Sequence, residues 1–267
     1  MASNLSCIGF SFENAEDFQR AMIKLAAGAI ERIGCDAGDY SVWRSRTGAE
    51  IWFHLPFLGT EDAAQDIAGL TPFYEGVSTI DVEVTERVHR PDDNDFEGAM
   101  TAQTRDPDGS NDGYPMTFDA VDFAVHGARE LPFLAQARIT GFARQVRAFA
   151  DETAYAADKA GPLGDIAMAP RAFIPVGQFG ETSESGEPDT AASTALITGR
   201  VSEYRRYVNE VTGVGFDWML VESLVSTFDI VADPEIVVGE IVEGGTVEIG
   251  CVLIGRLIDA SPEAAEE

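Results

Sequence analysis

The chain has little positive charge. Its 267 residues include 18 Lys and Arg against 46 Asp and Glu, which gives a formal net charge of −28. Lys24 and Lys159 are the only two lysines. A surface this negative repels nucleic-acid phosphates and anionic lipid headgroups. We therefore expect neither a nucleic acid nor a membrane among the partners of this protein.

Cysteine is scarce, and long hydrophobic runs are missing. Cys7, Cys35 and Cys251 are too far apart for a metal knuckle, and their odd number does not fit a disulfide framework. Unpaired thiols are typical of a reducing compartment. Residues 1–12 lack the basic and apolar segments of a secretory signal, and no apolar segment has the length of a bilayer. These features predict a cytoplasmic protein.

Recognisable catalytic motifs are missing as well. No serine lies in a G-x-S-x-G elbow, and neither a phosphate-binding loop nor a dinucleotide-binding fingerprint occurs. The histidines, at positions 54, 89 and 126, do not have the spacing of zinc ligands. The sequence therefore assigns no catalytic residue, although a Cys–His pair that forms only in space stays open.

Residues 1–75 have the pattern of a layer that combines one helix with strands. Residues 14–33 place apolar side chains at three- and four-residue steps behind the candidate N-cap Asn14, which predicts an amphipathic helix. Residues 40–46 and 49–55 read as two strands joined by a Thr-Gly turn, which predicts a β-hairpin. We expect the helix to pack on this hairpin layer.

Two β-rich segments of similar order follow, over residues 76–150 and 193–259. Each contains a long strand, a hairpin partner, a short strand, an irregular linker and a closing strand. The similarity depends on Thr-Phe-Asp at 117–119 and 227–229, on Gly141 and Gly255 near an arginine, and on residues 137–141 against 195–199. We interpret the segments as two copies of one OB-like barrel unit, with chance similarity as the alternative.

The predicted fold class is therefore α+β, with an N-terminal helix packed on a β-hairpin layer and two related OB-like barrel units. Proline punctuates residues 151–192, which we interpret as a connector between the units. Residues 260–267 are acidic and are predicted to form a frayed tail.

An acidic loop offers a candidate metal site. Asp106, Asp108 and Asp112 follow the D-x-D-G-x-x-D pattern of some calcium loops, in which hard oxygen ligands alternate around a turn-forming glycine. The glutamate that completes an EF-hand is missing, and a solvated hairpin turn is the commoner explanation of such a pattern. Calcium is accordingly the one cofactor for which the sequence offers ligands.

Arginines beside aromatic residues offer a candidate ligand-binding surface. Arg138 and Arg144 lie in one predicted strand, and another strand contains the run Tyr204, Arg205, Arg206 and Tyr207. On an OB-like face, such residues stack on a nucleotide and neutralise its phosphate. Pairing with neighbouring carboxylates is the alternative, since residues 193–259 contain four arginines against eleven acidic residues.

Together these patterns predict a non-catalytic binding or scaffold protein that acts through a β-sheet surface, with a protein partner or a second copy of itself. Two alternatives remain open. One is a hydrolase assisted by carboxylates or by a metal, and the other is a nucleotide or oligonucleotide binder that uses the arginine-aromatic strands.

Overall fold

A computed structural model describes residues 2–57, 67–105, 113–158, 168–176 and 192–258 of the chain. The fold is predominantly β-sheet, with 51% of the described residues in strands and few helices. An N-terminal helix followed by a β-rich region is confirmed, although the helical part is smaller than the α+β prediction implies. Within the described ranges, no helix has the length and apolarity needed to cross a membrane.

Helix α1 spans Ala15–Gly28, so the prediction of helix to residue 33 is wrong at its end. The side chain of Asn14 accepts a hydrogen bond from the Asp17 backbone N–H, as an N-cap does. Strand β1, Glu31–Cys35, replaces the predicted last turn and pairs with the next strand. The β-branched Ile30 and Ile33 suit a strand as well as a helical stripe, so the periodicity misplaced the boundary.

The predicted hairpin is confirmed as the centre of a four-stranded antiparallel sheet. Strands β2 (Gly38–Arg44) and β3 (Ala49–Pro56) form the hairpin, with β1 on one side and β4 (Gly69–Tyr74) on the other. Gly48 has a φ of +93°, a left-handed conformation that favours glycine in a tight turn.

A second, ten-stranded sheet contains the remaining strands, and helix α2 (Glu152–Ala157) lies within the predicted connector. The strands are β5 (Ile80–Val88), β6 (Ala99–Thr104), β7 (Pro115–Ala120), β8 (Phe133–Phe149), β9 (Ala172–Ile174), β10 (Thr194–Val208), β11 (Gly215–Glu222), β12 (Thr227–Ala232), β13 (Val237–Val238) and β14 (Thr246–Ile258).

Strand pairing closes this sheet into two rings that share two strands. One ring runs β5–β6–β7–β14–β8, and the other runs β10–β11–β12–β8–β14. Strands β8 and β14 pair antiparallel along thirteen positions and belong to both rings. The short strand of each segment, β7 or β12, pairs in parallel with the long closing strand of the other segment.

The two parallel pairings have matching registers. Asp119 and Ala120 of β7 lie opposite Ile254 and Gly255, while Asp229 and Ile230 of β12 lie opposite Thr140 and Gly141. The Thr-Phe-Asp sequences thus occupy corresponding places in the two rings. The other short match, between residues 137–141 and 195–199, relates β8 to β10. These two strands do not occupy corresponding places in the two rings.

Two hydrophobic clusters determine how the sheets lie against each other. One cluster fills the interior of the rings, with Phe118, Phe228 and Ile230 among its buried members. The other joins α1 and the four-stranded sheet to the opposite face of the ring strands, where Phe142 and Trp218 are buried. The four-stranded sheet therefore covers one flank of the ten-stranded sheet.

Candidate anion-binding site

The predicted calcium loop lies outside the described residues, since Asp106, Asp108 and Asp112 all fall in the 106–112 gap. Elsewhere in the described chain, no group of three or more His, Cys, Asp or Glu side chains has a metal-binding arrangement. The calcium interpretation stays a prediction.

The predicted run Tyr204, Arg205, Arg206 and Tyr207 lies on β10. Arg206 donates two parallel hydrogen bonds to the buried carboxylate of Asp217, from Nε at 2.8 Å and from Nη2 at 2.9 Å. The Tyr204 hydroxyl donates to the same carboxylate at 2.8 Å. Asp217 lies directly opposite Arg206 on β11, so the hairpin itself supplies the counter-charge.

The second arginine of this run is paired as well. Arg205 contacts Glu243 at 3.1 Å and Glu203 at 3.0 Å. The Tyr207 ring packs on Phe216, with centroids 5.7 Å apart. These contacts match the alternative in which the arginines pair with neighbouring carboxylates.

Arg138 and Arg144 lie on β8, which does not pair with β10 in the part of the chain that the structure describes. Arg144 donates to the Asn4 side chain, and its buried Nη1 has no hydrogen-bond partner among the described residues. Arg138 donates to Glu75. The structure therefore does not bring the six predicted ligand-binding residues together.

Glu75 belongs instead to a cavity of about 500 Å³ where the four-stranded sheet meets β14. That volume is within the range of small-molecule sites. We call this cavity the arginine pocket, and its lining residues are Arg44, Ser45, Arg46, Gly48, Glu50, Glu75 and Arg256.

The turn of the β2–β3 hairpin positions Glu75. The Glu75 backbone N–H donates to the carbonyl oxygen of Gly48 at 2.8 Å, immediately after β4 ends. A Cβ atom at position 48 would lie 2.9 Å from the carbonyl oxygen of Glu75, so only glycine permits this approach.

The Glu75 carboxylate joins three arginines from three strands. It accepts hydrogen bonds from Arg138 and, at 3.2 Å, from Arg256, and Arg44 Nε lies 3.9 Å from its Oε2. Arg138 and Arg256 are cross-strand neighbours on β8 and β14. The guanidinium of Arg256 also lies 5.5 Å from the ring centroid of Trp52, within the distance of a cation–π contact.

Glu50 forms the buried floor of the arginine pocket, with no solvent exposure. Trp52 Nε1 donates to its Oε2 at 2.7 Å, and Arg44 Nε donates to its Oε1. Burial raises the pKa of Glu50 to about 7, and a hydrogen bond with Glu75 adds to this rise. The bonds from Trp52 and Arg44 oppose it. A carboxyl group that titrates near neutrality in a cleft is typical of functional sites.

Arg46 lies at the rim of the arginine pocket and is exposed. Within the described ranges, no carboxylate lies at ion-pair distance from its guanidinium; the one contact with Glu210, at 3.2 Å, is made by the Arg46 backbone N–H. Arg44, beside it, is shared between Glu50 and Glu31. The rim therefore presents a guanidinium that can take an anion.

A second cavity, of about 240 Å³, has the opposite charge balance. Its arginine, Arg90, pairs with Asp119 at 2.6 Å, and Asp93 and Glu97 also line it. The excess of carboxylates makes this cavity a poor anion site.

Sequence reasoning missed five charged residues of the arginine pocket: Arg44, Arg46, Glu50, Glu75 and Arg256. Two of them, Glu50 and Arg256, could have been noticed in the sequence, because each is a charged residue within a mainly apolar strand. A charge in such a place needs a partner across the fold.

Comparison of the chain with family models, curated proteins and solved structures finds no match.

Proposed function

We propose that this protein is a non-catalytic binding protein that holds a small oxyanion, carrying a phosphate, sulfate or carboxylate group, in the arginine pocket on its sheet surface. The observation that carries the proposal is the guanidinium of Arg46, which has no carboxylate at ion-pair distance among the described residues and lies beside Arg44 and Arg256 in one cavity. Guanidinium groups bind oxyanions in a planar, bidentate fashion, which makes several of them in one cavity selective for such ligands.

The charge balance of the whole chain strengthens this argument. In a protein with 46 acidic residues, most arginines pair with a carboxylate, as Arg205 and Arg206 do. Among the described residues, Arg46, Arg87, Arg129 and Arg144 have no carboxylate at ion-pair distance, and of these Arg46 is the one that lines the arginine pocket. Its position beside Arg44 and Arg256 concentrates positive charge at one place, which attracts an anion.

We also propose that residues 76–150 and 193–259 are two copies of one barrel unit of OB-like type, arranged around the shared strands. Two reciprocal contacts support this. The backbone N–H of Ser78, before β5, donates to Asp229 at 2.8 Å, and the Ser193 hydroxyl, before β10, donates to Asp119 at 2.6 Å. In each case the Thr-Phe-Asp aspartate of one segment binds the serine that begins the other.

A second candidate function is carboxylate-assisted hydrolysis of a bond in the bound anion. The observation that favours it is the buried Glu50 beside Glu75, because a buried carboxyl group with a pKa near neutrality is suited to general acid and base catalysis. Turnover of phosphate esters that E50Q abolishes, while anion binding persists, would establish it. Without such turnover, the binding function stands alone.

The expected protein partner or second copy, and the cytoplasmic location, stay predictions. The three cysteines are unpaired, which supports a reducing compartment. The mass of the purified protein in solution, with and without pyrophosphate, tests self-association.

Calorimetric titration with inorganic pyrophosphate and with sulfate tests the proposed function. We expect the wild type to bind both, R46A to bind more weakly, and R46A with R256A to lose measurable binding. The double variant R205A with R206A is the matched control, since it removes two arginines outside the pocket and should bind as the wild type does. Wild-type protein that fails to bind, or equal losses in both double variants, would contradict the proposal.

A further inference from the structure

We infer that the arginine pocket takes up its oxyanion together with a proton, which Glu50 holds. The inference rests on the proposed function and adds to it the chemistry of regulation, because it makes ligand capture depend on pH. Its basis is the placement of a fully buried carboxyl group directly beneath the guanidinium groups that line the pocket.

Charged groups from five segments surround Glu50, so its ionisation is felt across the whole pocket. Arg44 donates to Glu50 and simultaneously to Glu31, and the side chain of Glu75 lies close enough to raise the pKa of Glu50. Among the described residues, the charged groups of the pocket and their direct partners are Arg44 at the end of β2, Arg46 beyond that end, Glu31 on β1, Glu75 after β4, Arg138 on β8 and Arg256 on β14.

An ionised Glu50 opposes an anionic ligand in two ways. It occupies Arg44 with a charge-assisted hydrogen bond, and it places a negative charge beside the incoming anion in a setting that water screens poorly. Protonation removes the charge and weakens the hold on Arg44. Trp52 Nε1 still donates to the neutral carboxyl group, so the protonated state keeps this hydrogen bond.

Proton binding and anion binding must affect each other equally, and this determines the direction in which pH changes the anion affinity. Because burial raises the pKa of Glu50 to about 7, the group exchanges its proton near neutrality in the empty pocket. A bound anion favours the neutral form and raises this pKa further, so a falling pH must tighten anion binding by the same factor. If the anion raises the pKa by about one unit, the affinity changes about tenfold across the transition.

The test is calorimetric titration with sulfate, which stays fully ionised between about pH 5.5 and about pH 8.5. Each titration is repeated in two buffers of different ionisation enthalpy, which reports the number of protons taken up. We expect wild-type affinity to rise about tenfold from the alkaline to the acidic end, with proton uptake largest near neutrality. E50Q should bind sulfate with one affinity at every pH, near the acidic limit of the wild type.

Two further variants keep the test decisive. E83Q changes a glutamate on β5 that pairs with Arg105 outside the pocket, and it should titrate as the wild type does. E75Q removes the carboxylate next to Glu50, so the pH midpoint should move to lower pH, and this variant also serves if E50Q does not fold. Sulfate binding that is independent of pH, or a pH dependence that survives in E50Q, overturns the inference and leaves the proposed function intact. Absence of sulfate binding at every pH overturns both.

Discussion

Two groups of arginines in this protein differ in how their charge is neutralised. On β10, Arg206 meets Asp217 directly across the hairpin, and Arg205 meets Glu203 and Glu243. In the arginine pocket, Arg44, Arg138 and Arg256 share Glu75, while Arg46 has no carboxylate at ion-pair distance among the described residues. The first group is conspicuous in the sequence, and the second is not.

The difference shows that local density of arginine is a poor indicator of an anion site in an acidic chain. A hairpin supplies its own counter-charges, since the neighbouring strand lies in fixed register. The pocket draws its residues from both sheets, and its shared carboxylates leave one guanidinium unmatched. Variants in each group, taken from the largest expected effect to the smallest, test this contrast.

The hairpin arginine should contribute mainly to stability. Asp217→Ala leaves the Tyr204 hydroxyl and Arg206 without their shared acceptor, and we expect a loss of about 2 to 3 kcal/mol in the free energy of unfolding. Urea denaturation measures it, with Asp217→Asn as the milder control because it keeps one acceptor oxygen. Pyrophosphate affinity should not change; a large decrease would place the anion site on the hairpin.

The arginine pocket should instead affect how the free energy of unfolding depends on pH. Glu50 holds its proton more tightly in the folded state than in the unfolded chain, so the wild type loses stability as the pH rises from the ordinary range of glutamate through about 7. Glutamine at this position cannot ionise. We expect E50Q to exceed the wild type by about 2 kcal/mol near pH 8 and to match it near pH 4.

Urea denaturation at several pH values gives this difference, and taking it between two variants cancels the many other carboxylates. An E50Q variant that is less stable than the wild type at alkaline pH would show that ionised Glu50 is a favourable partner of Arg44.

Pyrophosphate affinity should depend on the donor geometry of the side chain at position 46 as well as on its positive charge. Arg46→Lys keeps the charge but loses the planar pair of donors, so pyrophosphate should bind about threefold more weakly. Calorimetry measures the ratio. Equal affinity would indicate that Arg46 acts only as a point charge.

The smallest effect is expected for Arg205 on β10. Arg205→Ala removes two surface ion pairs, which contribute about 0.5 kcal/mol or less in total. Neither the free energy of unfolding nor pyrophosphate affinity should change appreciably. A measurable loss of pyrophosphate affinity would instead place a ligand site on the arginine-aromatic strand.

Local patterns predicted most strands correctly, because alternation and turn residues act over a few positions. The hairpin around Gly48 is an example. The end of α1 was misplaced because the three-residue step from Ile30 to Ile33 continues the helical stripe, whereas in the structure Ile30 is exposed and Ile33 lies on β1. Here strand pairing, which is a tertiary contact, decided between two local possibilities.

The arginine pocket could not be predicted from the sequence, for a different reason. Glu75 and Arg256 are 181 positions apart in the chain, and only the packing of one sheet on the other brings them together. Arg138 was selected from the sequence for its aromatic neighbours, whereas its partner in the structure is Glu75. Long-range pairing of this kind leaves no periodic trace in a single sequence.

The most direct measurement of the central claim is the position of selenate, an anomalously scattering analogue of sulfate, in crystals of the protein. The account predicts an anomalous peak in contact with Arg46 and flanked by Arg44 and Arg256. A peak beside Arg205 and Arg206, with the arginine pocket vacant, would contradict it.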